Sequence, residues 1–304
     1  LRKFVREKPM KKIRIGTRKS RLARIQAKML ADYIDMYCEG YEAELVTVMT
    51  TGDRILSKRL DEIGGKGVFV KELDAFLTEG HTDLSVHSLK DMPMEIPPEI
   101  PVIGFSGRED ARDVLVLPEG TKEYDYRGPI GCSSNRRSLQ LKDIYPNAEI
   151  RNIRGNVETR LEKLDSGEYG GLILAAAGLK RLGLSGRISR YFTVEEMVPA
   201  AGQGILCVQG RAGEDYGFLQ GFFDEEVREC VAAERAYTAY LNGGCSLPMG
   251  VYAQILDEIR MQVQGLFFDE DSGRHGKLCV LGKRSEAEEL GISLAQELKR
   301  SVKL

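Results

Sequence analysis

Apolar positions from Ile13 to His87 fall into two alternating rhythms. Ile13-Arg14-Ile15 predicts a short strand, and Leu22, Ile25, Met29, Tyr33 and Met36, at three-to-four spacing, predict the buried stripe of a helix. Ala43 to Met49 predicts a second strand. Phe69, Leu73, Phe76 and Leu77 predict a second amphipathic helix, and Asp83 to His87 a third strand. Strand alternating with helix indicates parallel α/β structure. Pro93, Pro97, Pro98 and Pro101 then break the rhythm, which predicts a crossing between domains.

A second alternation follows. Strands are predicted at Asp113 to Leu117, Ile130 to Cys132, Glu149 to Ile153 and Gly171 to Ala175, with helices at Asn135 to Ile144 and Val157 to Leu164. The Gly/Pro-marked stretch Val198-Pro199-Ala200-Ala201-Gly202-Gln203-Gly204 precedes a short strand, Ile205 to Gln209. The last third changes character. A long helix, Asp224 to Leu241, stops at Asn242-Gly243-Gly244. Strands at Val251 to Leu256, Arg260 to Phe267 and near Leu278 to Leu281, then a helix from Ser285, predict a small α+β domain with an antiparallel sheet.

Composition narrows the class. With 304 residues, 42% hydrophobic and 30% charged, the chain has length for two or three domains with buried cores. No apolar run approaches a membrane span. Leu1 to Pro9 is basic but lacks the apolar core of a secretory signal, and Met10 is a candidate start. The near-neutral balance, −2 overall, argues against a nucleic-acid partner. Six scattered cysteines with no Cys-x-x-Cys pair, and three histidines, exclude zinc-type spacing and suit free thiols in a reducing cytoplasm.

Against that near-neutral background, Arg127, Arg136, Arg137, Lys142, Arg151, Arg154 and Arg160 face Asp143, Glu149 and Glu158. Arginine forks hold carboxylates and phosphates bidentately, so a local excess of this kind suggests a discrete anionic ligand. A solvated face with scattered ion pairs is the alternative. Ser133-Ser134-Asn135-Arg136-Arg137 turns a strand end into a helix start, where backbone N–H groups, hydroxyls and guanidinium groups make an anion site. Arg151-Asn152-Ile153-Arg154-Gly155-Asn156 repeats the pattern one strand later. Val86-His87-Ser88-Leu89-Lys90-Asp91 carries Asp91 beyond a strand's carboxyl end, where open α/β sheets bind ligands, although an ordinary cap uses aspartate too. Thr51 to Gly67 reads as a glycine-hinged lid, since Gly64-Gly65-Lys66-Gly67 lacks the spacing of a phosphate loop. Gly243-Gly244-Cys245-Ser246 puts a thiol on a glycine-rich loop past a helix end.

These motifs, with Gly16-Thr17-Arg18-Lys19-Ser20, Thr51-Gly52-Asp53, Arg108-Glu109-Asp110, Ala177-Gly178-Leu179-Lys180-Arg181-Leu182-Gly183 and Gly202-Gln203-Gly204, resemble in order and spacing those of the porphobilinogen deaminase family, from Lys12 to the C-terminal helix. The resemblance implies two related α/β domains like type II periplasmic binding proteins, 10–104 with 199–216 and 105–198, and a small α+β domain, 217–304. It implies a transferase that joins four porphobilinogen molecules head to tail with loss of ammonia, in tetrapyrrole synthesis. A dipyrromethane primer would sit on Cys245 through a thioether. Asp91 would be catalytic. Lys90, Asp91, Ser134, Arg136, Arg137 and Arg160 would bind the primer, and Arg18, Ser20, Arg154, Arg160, Arg181 and Gln203 the substrate, with Lys66 and Phe69 on the lid. No metal, membrane or nucleic acid enters this reading, and it implies a cytoplasmic monomer. Arg21, Cys132, Gln209 and Tyr240 depart from the usual pattern but leave the carboxylate, the cysteine and the paired arginines in place. The other reading is a non-catalytic carboxylate-binding protein on the same two-domain fold, which would use Arg136 and Arg154 but neither Asp91 nor Cys245.

Overall fold

A computed structural model describes residues 10–50, 70–241 and 248–303. The first sheet contains β1 (Lys11–Arg18), β2 (Tyr41–Val48), β3 (Leu84–Ser88), β4 (Val102–Phe105) and β10 (Leu206–Gly210), in the order β2-β1-β3-β10-β4. The first three strands are parallel, and β10 runs antiparallel to both its neighbours. Helix α1 (Arg21–Tyr37) covers one face and α2 (Lys71–Thr78) the other side of the layer.

The expected stripe on α1 is rotated. Gln26, Ala27, Leu30, Ala31 and Ile34 are the buried residues, whereas Met29 and Met36 are exposed. Small residues at 27 and 31 let the helix lie close against Ile13, Ile15, Leu84 and Val86, and the longer side chains flank that contact. The proline stretch also differs from expectation. It leads into β4 of the same sheet, and the crossing comes after Phe105.

The second sheet repeats the plan. It contains β5 (Asp113–Val116), β6 (Ile130–Gly131), β7 (Ile150–Arg151), β8 (Gly171–Ala175) and β9 (Arg190–Tyr191), in the order β7-β6-β8-β5-β9. Three parallel strands are followed by an antiparallel one, as in the first sheet. Helices α3 (Asn135–Ile144), α4 (Val157–Asp165) and α5 (Ala176–Arg181) connect or follow them. In the third unit β11 (Gly250–Ile255), β12 (Arg260–Phe268) and β13 (His275–Lys283) form an antiparallel sheet. Helices α6 (Glu225–Tyr240) and α7 (Ala287–Lys303) pack on it around Tyr237, Val263, Leu294 and Leu298.

Two crossings join the first two sheets side by side. The Glu109 amide donates to the Gly204 carbonyl at 3.1 Å, and the Ser106 amide to that of Leu206 at 2.9 Å. Gly204 has φ +90°, and a Cβ there would run into the Glu109 carbonyl oxygen, so only glycine fits. Glu234 of α6 ties this junction to the third unit. Its carboxylate accepts from Arg108 Nη2 at 2.7 Å, from the Gly202 amide at 2.7 Å and from the Ala253 amide at 2.8 Å.

Candidate active site

The candidate residues follow the ends of four strands, β1, β3, β6 and β7. Beyond β3 a single 3-10 turn, Leu89–Asp91, presents Lys90 and Asp91. The turn is anchored by the Leu89 amide, which donates to the Ile205 carbonyl at 3.0 Å. Asp91 is exposed; Lys90 turns inward towards Gln203 Oε1 at 3.5 Å. Burial, followed by the nearby Arg137 charge, pushes the Lys90 ammonium down to about 8.

Beyond β6, Ser134 caps α3 by accepting from the Arg137 amide at 3.5 Å. Arg136 and Arg137 in the first turn are both buried. They converge on Asp113, the first residue of β5. Arg136 Nη1 donates to Asp113 Oδ2 at 2.7 Å and to the Val198 carbonyl at 2.6 Å, while Arg137 Nε and Nη2 donate to Asp113 Oδ1 at 3.0 and 2.7 Å. Burial alone would raise the Asp113 carboxyl, but the two guanidinium charges hold it well below the usual range. Gln203 joins the group, donating through Nε2 to Asp113 at 2.8 Å and to the Ala111 carbonyl at 2.6 Å.

Arg154 and Arg160 come from beyond β7. Arg160 Nε donates to the Gly155 carbonyl at 2.9 Å, and its guanidinium is pushed down to about 10 by burial and then by Arg137, with Arg154 acting in the same direction. Arg181 at the end of α5 donates through Nη2 to the Gly204 carbonyl at 2.6 Å. Among the described residues the buried Nε atoms of Arg154 and Arg181 have no hydrogen-bond partner. Arg18 ends β1, near enough for its charge to depress His87, and Ser20 caps α1 by accepting from the Ala23 amide at 3.3 Å. Lys90, Asp91, Arg136, Arg137, Arg154, Arg160 and Gln203 thus lie in one connected electrostatic group; Ser20, Arg18 and Arg181 stand around it. Lys66, Phe69 and Cys245 lie outside the described residues.

The basic run therefore divides. Arg127 and Arg151 are exposed and pair with Asp125 at 2.6 Å and Glu149 at 2.8 Å, as a solvated face would. Arg136 and Arg137 are buried. Sequence reasoning missed Asp113, whose single signal is a carboxylate opening an apolar strand. It also missed the brace of Lys180 against Glu109 and Asp110, at 3.2 and 3.1 Å, beside the crossing. Across the cleft mouth Arg21 of α1 meets Glu158 of α4 at 3.4 Å. Among the described residues no cluster of His, Cys, Asp or Glu could hold a metal, and no helix is long and apolar enough to cross a membrane.

Buried arginines beyond the strand ends of two α/β sheets, beside the exposed carboxylate of Asp91, make a site suited to a carboxylate-bearing ligand. The donor set fits such a ligand, because among the described residues Arg154 and Arg181 keep orphaned N–H groups of the kind a carboxylate satisfies. The family model "Porphobilinogen deaminase, dipyromethane cofactor binding domain" matches residues 13–217, and "Porphobilinogen deaminase, C-terminal domain" matches 228–300. The chain is 52% identical over 289 residues to the porphobilinogen deaminase of Ruminiclostridium cellulolyticum, covering 95% of this chain and 98% of that protein. It is 51% identical to that of Acetivibrio thermocellus, covering 94% and 98%. A solved structure, the periplasmic aliphatic sulphonate binding protein SsuA from Escherichia coli, is similar at 12% identity and TM-score 0.38, covering 76% of this chain and 75% of that one. The chain belongs to the porphobilinogen deaminase family, and its first two sheets form the family's dipyrromethane-binding region. It is a transferase, and the relatives support that reading over a non-catalytic binder.

Proposed function

We propose that this cleft condenses four porphobilinogen molecules to hydroxymethylbilane with Asp91 as its catalytic carboxylate. When bound, the dipyrromethane supplies the carbon nucleophile on which the chain is built. Cys245 is its thioether attachment point. Lys90, Ser134, Arg136, Arg137 and Arg160 hold its carboxylates; Arg18, Ser20, Arg154, Arg160, Arg181 and Gln203 hold those of the incoming substrate. Among the described residues Arg136 bonds to protein through Nη1. The protein acts as a cytoplasmic monomer, with domains 10–104 plus 199–216, 105–198 and 217–304.

The observation that carries this reading is the placement of Asp91. Its carboxylate is exposed, yet it acts electrostatically on both Lys90 and Arg137. A negative charge there offsets the cation that develops on the substrate methylene as ammonia leaves, and it can accept a proton from a pyrrole N–H. The test is Asp91→Asn, which keeps shape and capping ability but loses the charge. The expected outcome is a normal thermal melt with single-turnover bilane formation reduced at least about a hundredfold. A variant that melts normally and turns over within a few-fold of the parent overturns the role. Intact mass under denaturing conditions tests the attachment independently: Cys245→Ser should lack the adduct, and a full adduct on that variant would refute the assignment.

A further inference from the structure

Arg235 lies in the middle of α6, the helix that leads into the segment containing Cys245 ten residues later. Its side chain reaches away from its own domain. Nη2 donates to the Met94 carbonyl at 2.6 Å and to the Pro93 carbonyl at 3.2 Å. Those carbonyls belong to the second and third residues after Asp91. Burial disfavours the Arg235 charge, and among the described residues the titratable group that acts on it is the Cys207 thiol. A half-buried guanidinium spent on two neutral carbonyls is a costly way to hold a chain segment. The surroundings could have supplied apolar contact instead, since Met92, Ile205, Cys207 and Val231 pack together there.

The contact has a geometric effect. Asp91 sits in one 3-10 turn, closed by the Met92 amide donating to the Leu89 carbonyl at 3.0 Å. A single turn has little stability of its own, so its orientation depends on how the chain leaves it. The exit is Met92-Pro93-Met94, where proline removes a backbone donor. On the entry side the Leu89 amide is held by Ile205. On the exit side Arg235 Nη2 takes the two successive carbonyls.

We propose that Arg235 is a positioning residue for the condensation: by holding the Pro93 and Met94 carbonyls it fixes the turn that presents Asp91, from the helix that leads to Cys245. The proposal rests on the reading of Asp91 as the catalytic carboxylate. It makes the third unit more than a carrier of the attachment loop, because the same helix registers the carboxylate against whatever that loop holds.

The test uses the holoenzyme with Arg235→Met and Arg235→Lys. Lysine keeps the charge but not the planar fork, so it should recover part of what methionine loses. For Arg235→Met the expected result is unchanged cofactor mass, KM within about twofold and kcat lower by on the order of ten- to a hundredfold, the scale of a misplaced reactive group. Amide hydrogen exchange should accelerate at Leu89 to Met94 and not in the second sheet. Millimolar guanidinium should restore part of the Arg235→Met rate. A kcat within twofold of the parent, or a rate loss matched by equal loss of folded holoenzyme with unaltered exchange at Leu89 to Met94, overturns the proposal. If the methionine variant does not fold, Arg235→Lys alone decides it by the same readouts. Adding Arg235→Met to Asp91→Asn should slow turnover no further. Normal turnover in Asp91→Asn alone would sink the underlying reading; loss there without loss in Arg235→Met sinks this inference alone.

Discussion

Asp113 is fully buried between two guanidinium groups, and both its surroundings and its consequences are electrostatic. Its carboxyl is depressed in the folded protein and ordinary, at about 3.9, in the unfolded chain. The stabilisation is therefore complete above about pH 4 and is lost as the pH falls further. Asp113→Asn leaves Arg136 and Arg137 buried without their counter-charge, which should cost about 3–5 kcal/mol in denaturant melts at pH 7. The gap between the variant and the parent should narrow below pH 4. Lys90 has the opposite sense. Its folded value of about 8 lies below the ordinary 10.5, so its burial costs stability below pH 8, and that cost disappears as the pH rises towards 10.5. Anion binding needs the charged form, so loading of apo-protein, followed by intact mass during incubation with porphobilinogen, should slow as pH rises through about 8. Lys90→Gln should load slowly at every pH; a parent pH profile indistinguishable from that of Lys90→Gln would refute the role. Asp91 and the arginines were legible because they follow strand ends in the sequence. Asp113 was not, because one aspartate opening an apolar strand looks like a turn residue until the fold brings Arg136 to it.

Helices and strands were legible where their rhythm is long. The predicted spans of α3, α4 and α6 agree closely with the observed ones, as do those of β2 and β3, whereas β1 runs well beyond the predicted Ile13 to Ile15 at both ends. Six-residue α5 and two-residue β9 are too short to show a period. The buried face of α1 was misread because Leu30 and Ile34 share it with Gln26, Ala27 and Ala31, whose small or polar side chains stand out less than Met29, Tyr33 and Met36. Close approach between elements carries the same lesson at Gly291. A Cβ there would run into the Ala233 carbonyl oxygen, so α7 touches the backbone of α6. Gly291→Ala should destabilise the third unit by about 1–3 kcal/mol as overpacking does, despite the better helix propensity of alanine. A thermal melt showing a stabilised variant would contradict that contact. The effect belongs to the α6–α7 packing, so the second sheet should keep its amide protection.

At the scale of the molecule, Glu234 joins three bodies through one carboxylate. Glu234→Gln would turn an amide donor towards a backbone or guanidinium donor, and Arg108 would lose its counter-charge. The expected loss is about 3–5 kcal/mol, with a broadened melt as the third unit uncouples from the crossings. A sharp, unshifted melt would show that the junction is not needed for cohesion. The three-sheet plan was legible in outline, from two alternating stretches and an antiparallel tail. The strand that completes the first sheet was legible only as an isolated segment after Gly204, since pairing partners so distant in sequence leave no local pattern. That strand, β10, follows every strand of the second sheet in the chain, and it separates β3 from β4. A ribosome releases the chain from its N-terminus, so β1 to β4 emerge while the strand that joins β4 to β3 is still unsynthesised. The strands of the second sheet all come from a continuous stretch, 113–191, and can pair as soon as they leave the exit tunnel. The half of the cleft bearing Arg136 and Arg137 should thus form first, leaving the half bearing Asp91 as a waiting, unclosed layer until Gly210 appears.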